Sequence, residues 1–353
     1  MEFGLSSEQT LLQDSVNRFV ADNAPLDVVR KIAKGGETDA GTWQGLAELG
    51  IPGLMIPEAS GGVGLSVVDA AIVAECLGYH VTPSPFISSA VIAPVALIEA
   101  GGHDDLLGAI ATGRRRIGVA FSEAIGARAD AGISASGDKI SGKSLFVMDS
   151  DADDYLVASG EGHLYLVPAG AAKRSKLTTI DNTRSTCELV FDNARAQLVS
   201  DDISVFNKAL DAGRVVLAAD TLGAAQNMID QAVAYARERV QFGRPIATFQ
   251  AVKHMCAEMA ADLEPCRAFI WYASYALGNI PEEARLTACH AKAHLAEVGK
   301  GIAKTATEVH GGMGFTDLLG LHFWFKRIGF NRQMLGAPEL VREEAARIQG
   351  LAA

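Results

Sequence analysis

The spacing of apolar residues changes twice along this 353-residue chain, and these two changes limit the folds open to it. Up to about Arg116, apolar residues recur at helical spacing, beginning behind a capping box formed by Ser6 and Gln9. From Ile117, short β-rich runs alternate with Gly, Asp and Ser, without helices between them. After Ile203 the helical spacing returns in long, alanine-rich segments. The chain is therefore predicted to be helical, then β, then helical.

These three regions predict an α+β multidomain fold. It consists of an N-terminal helical domain over residues 1–116, a central antiparallel, barrel-like β domain over 117–202 and a C-terminal four-helix bundle over 203–353. The C-terminal helices are apolar around much of their circumference, which favours burial of more than one face and therefore an oligomer, a dimer or tetramer of like or unlike chains. The predicted strands are 118–121, 143–148, 154–158, 163–167 and 187–191, and the predicted C-terminal helices are 205–240, 248–277, 281–310 and 338–349.

The composition excludes several classes of partner. The net charge is −11, and 49% of residues are hydrophobic, so the chain lacks the cationic surface that nucleic acids and anionic membranes attract. The most apolar stretch, residues 86–100, is interrupted by Ser88, Ser89 and Pro94 and predicts no membrane span. The N-terminus shows no secretory signal, and the five cysteines are scattered without metal-ligand spacing. We therefore expect a cytoplasmic protein with reduced cysteines and no metal site.

Two motifs suggest ligand sites that their surroundings argue against. Residues 137–144 satisfy the P-loop pattern, but a strand follows them where a phosphate-binding helix is needed. Four aspartates between residues 149 and 154 suggest a calcium loop, but the bidentate glutamate and the central glycine are missing, which favours a solvated turn. The aspartates are Asp149, Asp151, Asp153 and Asp154.

Three further segments each have a structural and a functional interpretation. Arg239 closes a long helix, where it can oppose the helix dipole, or it can join Phe242 and Gln250 in binding a pyrophosphate and an adenine. Gly311 and Gly312 follow another helix, where they can form a C-cap or let an anionic cofactor approach the backbone. Asp211 and Arg214, three residues apart on a helix, can form an ion pair or contact a polar substrate group. The segments taken singly do not decide between these interpretations.

With this order of regions, the chain resembles the acyl-CoA dehydrogenase family of flavoproteins over nearly its whole length. The opening residues 3–9 are similar to the first helix of the family, and residues 49–64 to its N-terminal signature. Ser122 and Glu123 stand where the family has Thr-Glu, and residues 181–192 resemble the strand that closes its β domain. The most specific similarity is the pair of segments 239–250 and 310–314 at family-like separation.

The resemblance implies α,β-dehydrogenation of an acyl-CoA thioester. A carboxylate removes the α-proton while FAD accepts the β-hydride, and an electron-transfer flavoprotein then takes the electrons. The resemblance places the FAD adenylate and pyrophosphate at five residues, partly across a subunit interface, and a flavin contact at Ser122. It places Asp211 and Arg214 near the acyl-CoA. The five residues are Arg239, Phe242, Gln250, Gly311 and Gly312.

This sequence departs from the family where the catalytic base belongs. The family uses a glutamate at one of two positions, which are Leu335 and Gly213 here, and neither side chain can accept a proton. The catalytic residue is therefore unknown, with Asp317, Asp211 or Asp220 as possible replacements. The β domain also departs at residues 124–130 and 146–148, which implies a weaker flavin half-site there, and Glu308 would repel a pyrophosphate unless it is neutralised.

Three explanations for the missing base remain open. The chain can be one subunit of a hetero-oligomer whose partner supplies the base, an arrangement that resembles paired acyl-CoA dehydrogenases of bacterial steroid side-chain degradation. An uncommon carboxylate can serve in a homo-oligomer, or the fold can catalyse flavin-dependent monooxygenation. We favour the first, and a non-catalytic subunit that completes a partner's FAD site is also kept. Gly213 and Leu335 further suggest apolar room for a bulky acyl group.

Overall fold

The N-terminal part of the chain is helical. The computed structural model describes residues 4–35, 40–122, 126 and 131–352, so Phe3, Glu123 and most of the loop 124–130 lie outside the described residues. The predicted capping box is confirmed, because the Ser6 hydroxyl accepts from the Gln9 amide at 3.1 Å and the Gln9 side chain accepts from the Ser6 amide at 3.1 Å. The helices are α1 (Ser7–Asn23), α2 (Leu26–Ala33), α3 (Ala40–Glu48), α4 (Val67–Tyr79), a π-helix (Phe86–Ile92), α5 (Ala93–Ala100) and α6 (Asp104–Ala111).

The middle of the chain forms one β-sheet, which contains eight strands within the described residues. The strand order is β6-β7-β3-β1-β4-β5-β8, with β2 paired to β3. The predicted antiparallel pairing holds for every pair except β1 and β4, which run parallel, so the sheet is mixed. The strands are β1 (Ile117–Ala120), β2 (Gly132–Ser136), β3 (Lys139–Met148), β4 (Asp154–Ala158), β5 (Leu164–Pro168), β6 (Lys173–Lys176), β7 (Thr186–Arg195) and β8 (Gln197–Ser200).

The β2–β3 pairing explains the P-loop pattern. Ser136 pairs with Lys139 across a tight turn, so residues 137–144 form a hairpin turn and a strand, and no helix N-terminus follows them. The prediction that a β-turn and a strand, and no helix, form this motif is therefore confirmed.

The C-terminal part is helical and is built around one long helix. The helices are α7 (Ile203–Glu238), α8 (Gln250–Asn279), α9 (Pro281–His310), α10 (His322–Gln333) and α11 (Pro338–Ile348), with a small hairpin of β9 (Val240–Gln241) and β10 (Arg244–Pro245) after α7. Every residue of α7 from Ala209 to Ala225 is buried. The helix α10 was not predicted, because its inward face carries the polar residues Arg327 and Asn331 as well as apolar ones.

Two glycines allow the N-terminal domain to pack closely on α7. A Cβ atom at Gly78 of α4 would lie 2.0 Å from the Asp220 carbonyl oxygen, and one at Gly223 of α7 would lie 1.9 Å from the Glu75 carbonyl oxygen. Both contacts are shorter than any that a side chain could make, so the two backbones meet only because these positions are glycine. The crossing of α4 and α7 thereby joins the first and last regions of the chain.

A buried ionic cluster connects all three regions. Arg327 of α10 donates to Asp181 at 2.7 Å, to Asp220 at 3.2 Å and to the Thr82 carbonyl oxygen at 3.2 Å. Arg184 donates to the same Asp220 carboxylate at 2.8 Å. Because a buried charge is costly unless it is paired, these contacts fix the relative positions of the helical and β regions.

The described residues contain neither a membrane-spanning helix nor a cluster of metal ligands. No helix there combines the length and the apolarity needed to cross a membrane. In the same stretches of chain, no group of three or more His, Cys, Asp or Glu side chains is arranged to hold a metal ion.

Candidate functional site

The two segments with the most specific family similarity lie together at one end of the helical bundle. The helix α7 ends at Glu238 and α9 ends at His310, and the rings of Tyr235 and His310 lie 4.7 Å apart between these ends. Gly311 follows with φ +58°, a left-handed conformation that favours glycine. The turn after α9 is thereby brought beside the hairpin after α7.

The predicted FAD-binding residues at these ends form an exposed surface, which we call the outer face. Phe242 is 92% exposed, and a Cβ atom at Gly311 or Gly312 would meet no atom within 4 Å. Within the described residues, the Arg239 guanidinium has no hydrogen bond or ion pair. All members of the outer face are exposed, and they are Arg239, Phe242, Gln250, Gly311 and Gly312.

The outer face has the chemistry of an anion and aromatic binding surface. Gln250 is the first residue of α8, whose N-terminus has no side-chain cap, so backbone N–H groups and the positive end of the helix dipole are available. Glu308, whose charge would oppose an anion, lies 3.8 Å from the Lys304 ammonium and is partly neutralised. An arginine, an exposed ring and backbone N–H groups together can bind a phosphate and stack on a base.

The two positions of the missing base lie side by side in the interior. A Cβ atom at Gly213 would come within 2.7 Å of both Leu335 Cδ1 and Ile92 Cδ1. Leu335 is 1% exposed and Ile92 is fully buried, so the region around Gly213, which we call the base position, is packed with hydrocarbon. The expected apolar room at Gly213 and Leu335 is therefore wrong, because the π-helix supplies Ile92 to fill it.

The turn that carries Leu335 is fixed by two buried cations. Arg214 Nε donates to the Leu335 carbonyl oxygen at 3.0 Å, and Lys292 Nζ donates to the Gly336 and Arg332 carbonyl oxygens at 3.1 and 3.0 Å. Leu335 has φ +56°, which is strained for a leucine and requires such support. Burial, together with the Arg214 and Arg332 charges, lowers the pKa of Lys292 to about 7.

Asp211 and Arg214, the predicted substrate residues, both take part in an internal ionic network. Arg214 donates to Glu344 at 2.8 Å, and Arg285 donates to Asp211 at 3.2 Å. Burial raises the pKa of Asp211 to about 6, against the lowering effect of Arg285 and Arg214. The structure thus places this pair behind the base position, where Arg214 supports the Leu335 turn. A contact with the acyl-CoA remains a prediction.

The other two carboxylates considered as bases are engaged in different parts of the molecule. Asp220 accepts from Arg184, Arg327 and Asn331, which hold its pKa below the usual range despite burial. Asp317 is 63% exposed and lies 2.9 Å from His322 Nε2, a contact that lowers its pKa. Neither side chain supplies any of the three atoms that lie nearest to a Cβ atom at Gly213, which belong to Ile92 and Leu335.

Ser122, the predicted flavin contact, is hydrogen-bonded inside the β domain. Its hydroxyl accepts from the Leu145 amide at 2.8 Å and lies 2.6 Å from the Ser144 hydroxyl, and the residue is 1% exposed. Its role toward a flavin remains a prediction, and Glu123 beside it lies outside the described residues.

The structure contains a cavity of about 520 Å³ where the three regions meet, which sequence reasoning missed. We call it the interdomain cavity. Asp149, predicted to lie in a solvated turn, lines it and is only 7% exposed, and Asp154 of the same turn is 4% exposed. Burial raises the pKa of Asp149 to about 6. The lining combines segments distant in sequence, including Trp43, residues 83–88, Met148, residues 183–186 and Phe330, so no local motif marks it.

Comparison with known proteins gives consistent matches along the chain. Residues 6–106 match the family described as "Acyl-CoA dehydrogenase, N-terminal domain", and residues 203–349 match "Acyl-CoA dehydrogenase, C-terminal domain". The acyl-CoA dehydrogenase IpdE2 of Mycobacterium tuberculosis is 31% identical to this chain, over 95% of the chain and 95% of its own length.

Two solved structures share the whole architecture. One is the ChsE4-ChsE5 complex from Mycobacterium tuberculosis, with a TM-score of 0.91, 25% identity and coverage of 100% of both chains. The other is a variant of the Tcur3481-Tcur3483 steroid ACAD, with a TM-score of 0.89, 27% identity and coverage of 97% of this chain and 98% of that one. The predicted order of a helical domain, a β domain and a helical bundle is confirmed by these matches.

Proposed function

This chain belongs to the acyl-CoA dehydrogenase family, a family of oxidoreductases, and on that premise we propose that it is one subunit of a hetero-oligomer that dehydrogenates an acyl-CoA thioester with FAD. In this proposal the chain contributes part of the FAD site, and a homologous partner chain supplies the catalytic base. An electron-transfer flavoprotein, as the family resemblance implies, is the electron acceptor.

One contrast in the structure carries this proposal. The residues that match the FAD site form the exposed outer face, whereas the base position contains no carboxylate and is filled by Leu335 and Ile92. A self-sufficient enzyme of this reaction needs both a cofactor site and a base. Here the residues that match the FAD site are exposed, which leaves them open to a second chain in our proposal, and neither base position carries a carboxylate.

The outer face suits the adenylate and pyrophosphate of FAD. Arg239 would pair with a phosphate, Phe242 would lie against the adenine, and Gly311 and Gly312 would let the pyrophosphate approach the backbone. Since the net charge of the whole chain is −11, these local groups must attract the anion against the overall field.

The chemistry divides between the two chains. When bound, FAD supplies the acceptor for the hydride from the β-carbon of the thioester. The α-proton must pass to a carboxylate at the same time, so that the two carbon–hydrogen bonds break and a carbon–carbon double bond forms. Because neither Leu335 nor Gly213 can take a proton, this carboxylate belongs to the partner in our proposal.

The solved relatives support an assembly of two different chains. ChsE4-ChsE5 is named as a complex, and the Tcur3481-Tcur3483 steroid ACAD is named for two components. This chain aligns with members of both over nearly its full length. A subunit that completes a partner's FAD site without binding substrate itself is the second candidate, and the closed packing at the base position favours it.

The test compares the chain alone with the chain coexpressed with an adjacently encoded homologue that retains the glutamate. Flavin content is measured by absorbance, and flavin reduction by octanoyl-CoA and by a cyclic acyl-CoA is followed anaerobically. We expect flavin binding and bleaching only in the coexpressed complex. Full reduction by the homomer would eliminate the partner-base proposal, and flavin absent from both preparations would eliminate FAD dependence.

One variant of the complex distinguishes the two candidate functions. The glutamate of the partner is changed to glutamine, which must abolish reduction in either case. Thioester binding stoichiometry then separates them, because a non-catalytic subunit leaves only the partner's site and gives one thioester for each pair of chains.

A further inference from the structure

The C-terminal segment, which we define as residues 335–348, contains the turn that carries Leu335 and the helix α11. Only three of the eleven residues of α11 are buried, and they are Pro338, Val341 and Ala345. Val341 and Ala345 form a small apolar cluster with Cys289 and Ala293 of α9. Within the described residues, the main hydrophobic core contains no residue of α11. Because its apolar interface is small, this helix separates at a lower cost in free energy than the rest of the bundle.

Four cations of the described bundle contact both this segment and the rest of the bundle. Arg214 of α7 donates to Glu344 of α11 at 2.8 Å and lies 3.6 Å from Asp211 of its own helix. Arg285 of α9 pairs with the same Glu344 and donates to Asp211 at 3.2 Å. Asp211 therefore remains a partner for both arginines if α11 moves away.

Lys292 and Arg332 divide their contacts in the same way. Lys292 Nζ donates to the Gly336 carbonyl oxygen in the segment and to the Arg332 carbonyl oxygen of α10, at 3.1 and 3.0 Å. The Arg332 guanidinium donates to Glu339 of α11 at 2.9 Å and to Glu297 of α9 at 2.8 Å. A buried charge that loses all its partners is strongly destabilising. Here the release of the segment leaves each of the four cations a partner on the bundle.

The backbone at the start of the segment is strained. Leu335 has φ +56° and Gly336 has φ +108°, both in the region that favours glycine. Relaxation of Leu335 to an ordinary φ would turn its side chain away from Gly213, which it covers together with Ile92. Gly336 adopts a wide range of conformations and can serve as the hinge. Movement of the segment would therefore uncover the base position.

We propose that the C-terminal segment is a gate over the base position, which separates from the bundle as one unit while the rest of the fold stays intact. The four cations with divided contacts hold it closed, and the strained Leu335 favours its release. The closed packing over Gly213 is then one of two states of the chain. This equilibrium needs neither a flavin nor a partner chain, so its test is independent of the proposed function.

Two native cysteines measure the release without any substitution. Cys289 lies in the apolar cluster under α11, Cys187 lies in the strand β7, and both are 0% exposed. Burial raises the pKa of Cys289 to about 12 and that of Cys187 to about 11, so each thiol reacts only after it becomes exposed. The full-length chain is treated with excess N-ethylmaleimide at several urea concentrations below the unfolding transition, and the label on each cysteine is quantified by peptide mass spectrometry.

We expect Cys289 to be labelled at least about tenfold faster than Cys187 in the absence of urea, because the opening of one segment costs less than global unfolding. The rate at Cys289 should hardly change with urea, whereas the rate at Cys187 should rise steeply, because only global unfolding exposes a large surface. Equal rates with equal urea dependence would overturn the inference, since global unfolding alone would then expose Cys289.

A matched pair of variants tests the divided contacts. Glu344→Gln removes the charge that pairs with two arginines of the bundle, and it should raise the labelling rate of Cys289 about tenfold, the effect of one charge-assisted hydrogen bond. Glu343→Gln makes the same change one residue earlier, where the carboxylate pairs with Arg347 within α11, and it should leave the rate unchanged. An equal effect of the two substitutions would contradict the gate, because these contacts would then not hold the segment closed.

A thiol inside the base position tests whether the release uncovers it. Ile92→Cys places a thiol opposite Leu335, and Ile110→Cys, at another fully buried isoleucine in α6, is its control. We expect labelling of Ile92→Cys at the rate of Cys289 and of Ile110→Cys at the rate of Cys187. If Ile92→Cys is labelled only at the rate of Cys187, α11 frays without opening the base position and the inference is wrong. Leu335→Cys, on the other side of the same contact, gives the same comparison if Ile92→Cys does not fold.

Discussion

The outer face and the base position differ in their exposure to solvent. At the outer face, an arginine without a partner among the described residues and a phenylalanine that is 92% exposed are held at the surface. At the base position, Gly213, Leu335 and Ile92 exclude solvent altogether. Phe242 also has a φ of +52°. An exposed large aromatic with positive φ is costly for an isolated chain, whereas a packed apolar interior stabilises one.

The residues that match the cofactor site of the family therefore lie at the surface, whereas the position that matches its proton acceptor is buried. In our proposal, the exposed groups of the outer face serve to bind another molecule, whereas the hydrocarbon packing at the base position stabilises the fold. Two buried cations also stabilise the closed base position. Arg214 and Lys292 donate to the backbone of the Leu335 turn and hold it closed.

The largest effect should follow from placing a carboxylate in the closed region. Leu335→Glu puts an ionisable group among Gly213 and Ile92, where burial raises its pKa well above the usual value for glutamate. At pH 7 we expect a loss of about 3–4 kcal/mol in the free energy of unfolding, measured by urea denaturation. We also expect no flavin reduction by this variant alone.

Leu335→Gln is the matched control for that variant. It has the same shape and the same backbone strain, but it cannot ionise. A raised pKa in the folded state means that the folded protein keeps its proton to higher pH, so the Glu variant loses stability as pH rises from about 4. The two variants should therefore converge near pH 4 and diverge above it. A stable Glu variant that reduces flavin by itself would show that the base position is open.

The sequence predicts the helical framework well, because the long helices have a strong periodic signal. The observed helices Ile203–Glu238 and Pro281–His310 begin and end within two residues of the predictions. The strand Lys173–Lys176 was missed, because all four of its residues are polar and exposed, so it has no apolar alternation to detect. The helix His322–Gln333 was missed because its buried face includes Arg327.

Only those parts of the candidate site that lie within short sequence segments could be predicted. The residues of the outer face lie in two short motifs, so the resemblance alone could name them. The absence of a base could be predicted from Gly213 and Leu335, but the filling of that space depends on Ile92, more than a hundred residues away. Long-range packing of this kind, like the lining of the interdomain cavity, has no signature in a single sequence.

The next largest effect concerns the outer face. Arg239→Ala in the coexpressed complex should weaken FAD retention by about 1.5–3 kcal/mol, because a charge-assisted hydrogen bond is lost. The free energy of unfolding of the chain alone should not change, since Arg239 has no partner among its described residues. FAD affinity is measured by equilibrium dialysis, with Arg195→Ala as the control, an arginine that is 88% exposed and pairs with Asp138 in the β domain. An unchanged FAD affinity would indicate that Arg239 only opposes the dipole at the end of α7.

The smallest effect tests how tightly the base position is packed. Gly213→Ala introduces a Cβ atom within 2.7 Å of both Leu335 Cδ1 and Ile92 Cδ1, and overpacking of this kind costs about 1–3 kcal/mol. Leu335→Ala in the same chain removes one of the two clashing atoms, so the cost of the added methyl should be smaller in that background. The free energies of the four proteins in this double-mutant cycle, measured by urea denaturation, give the coupling. If the two effects add without coupling, Leu335 does not occupy the space over Gly213, and the contrast between a closed interior and an open face loses its structural basis.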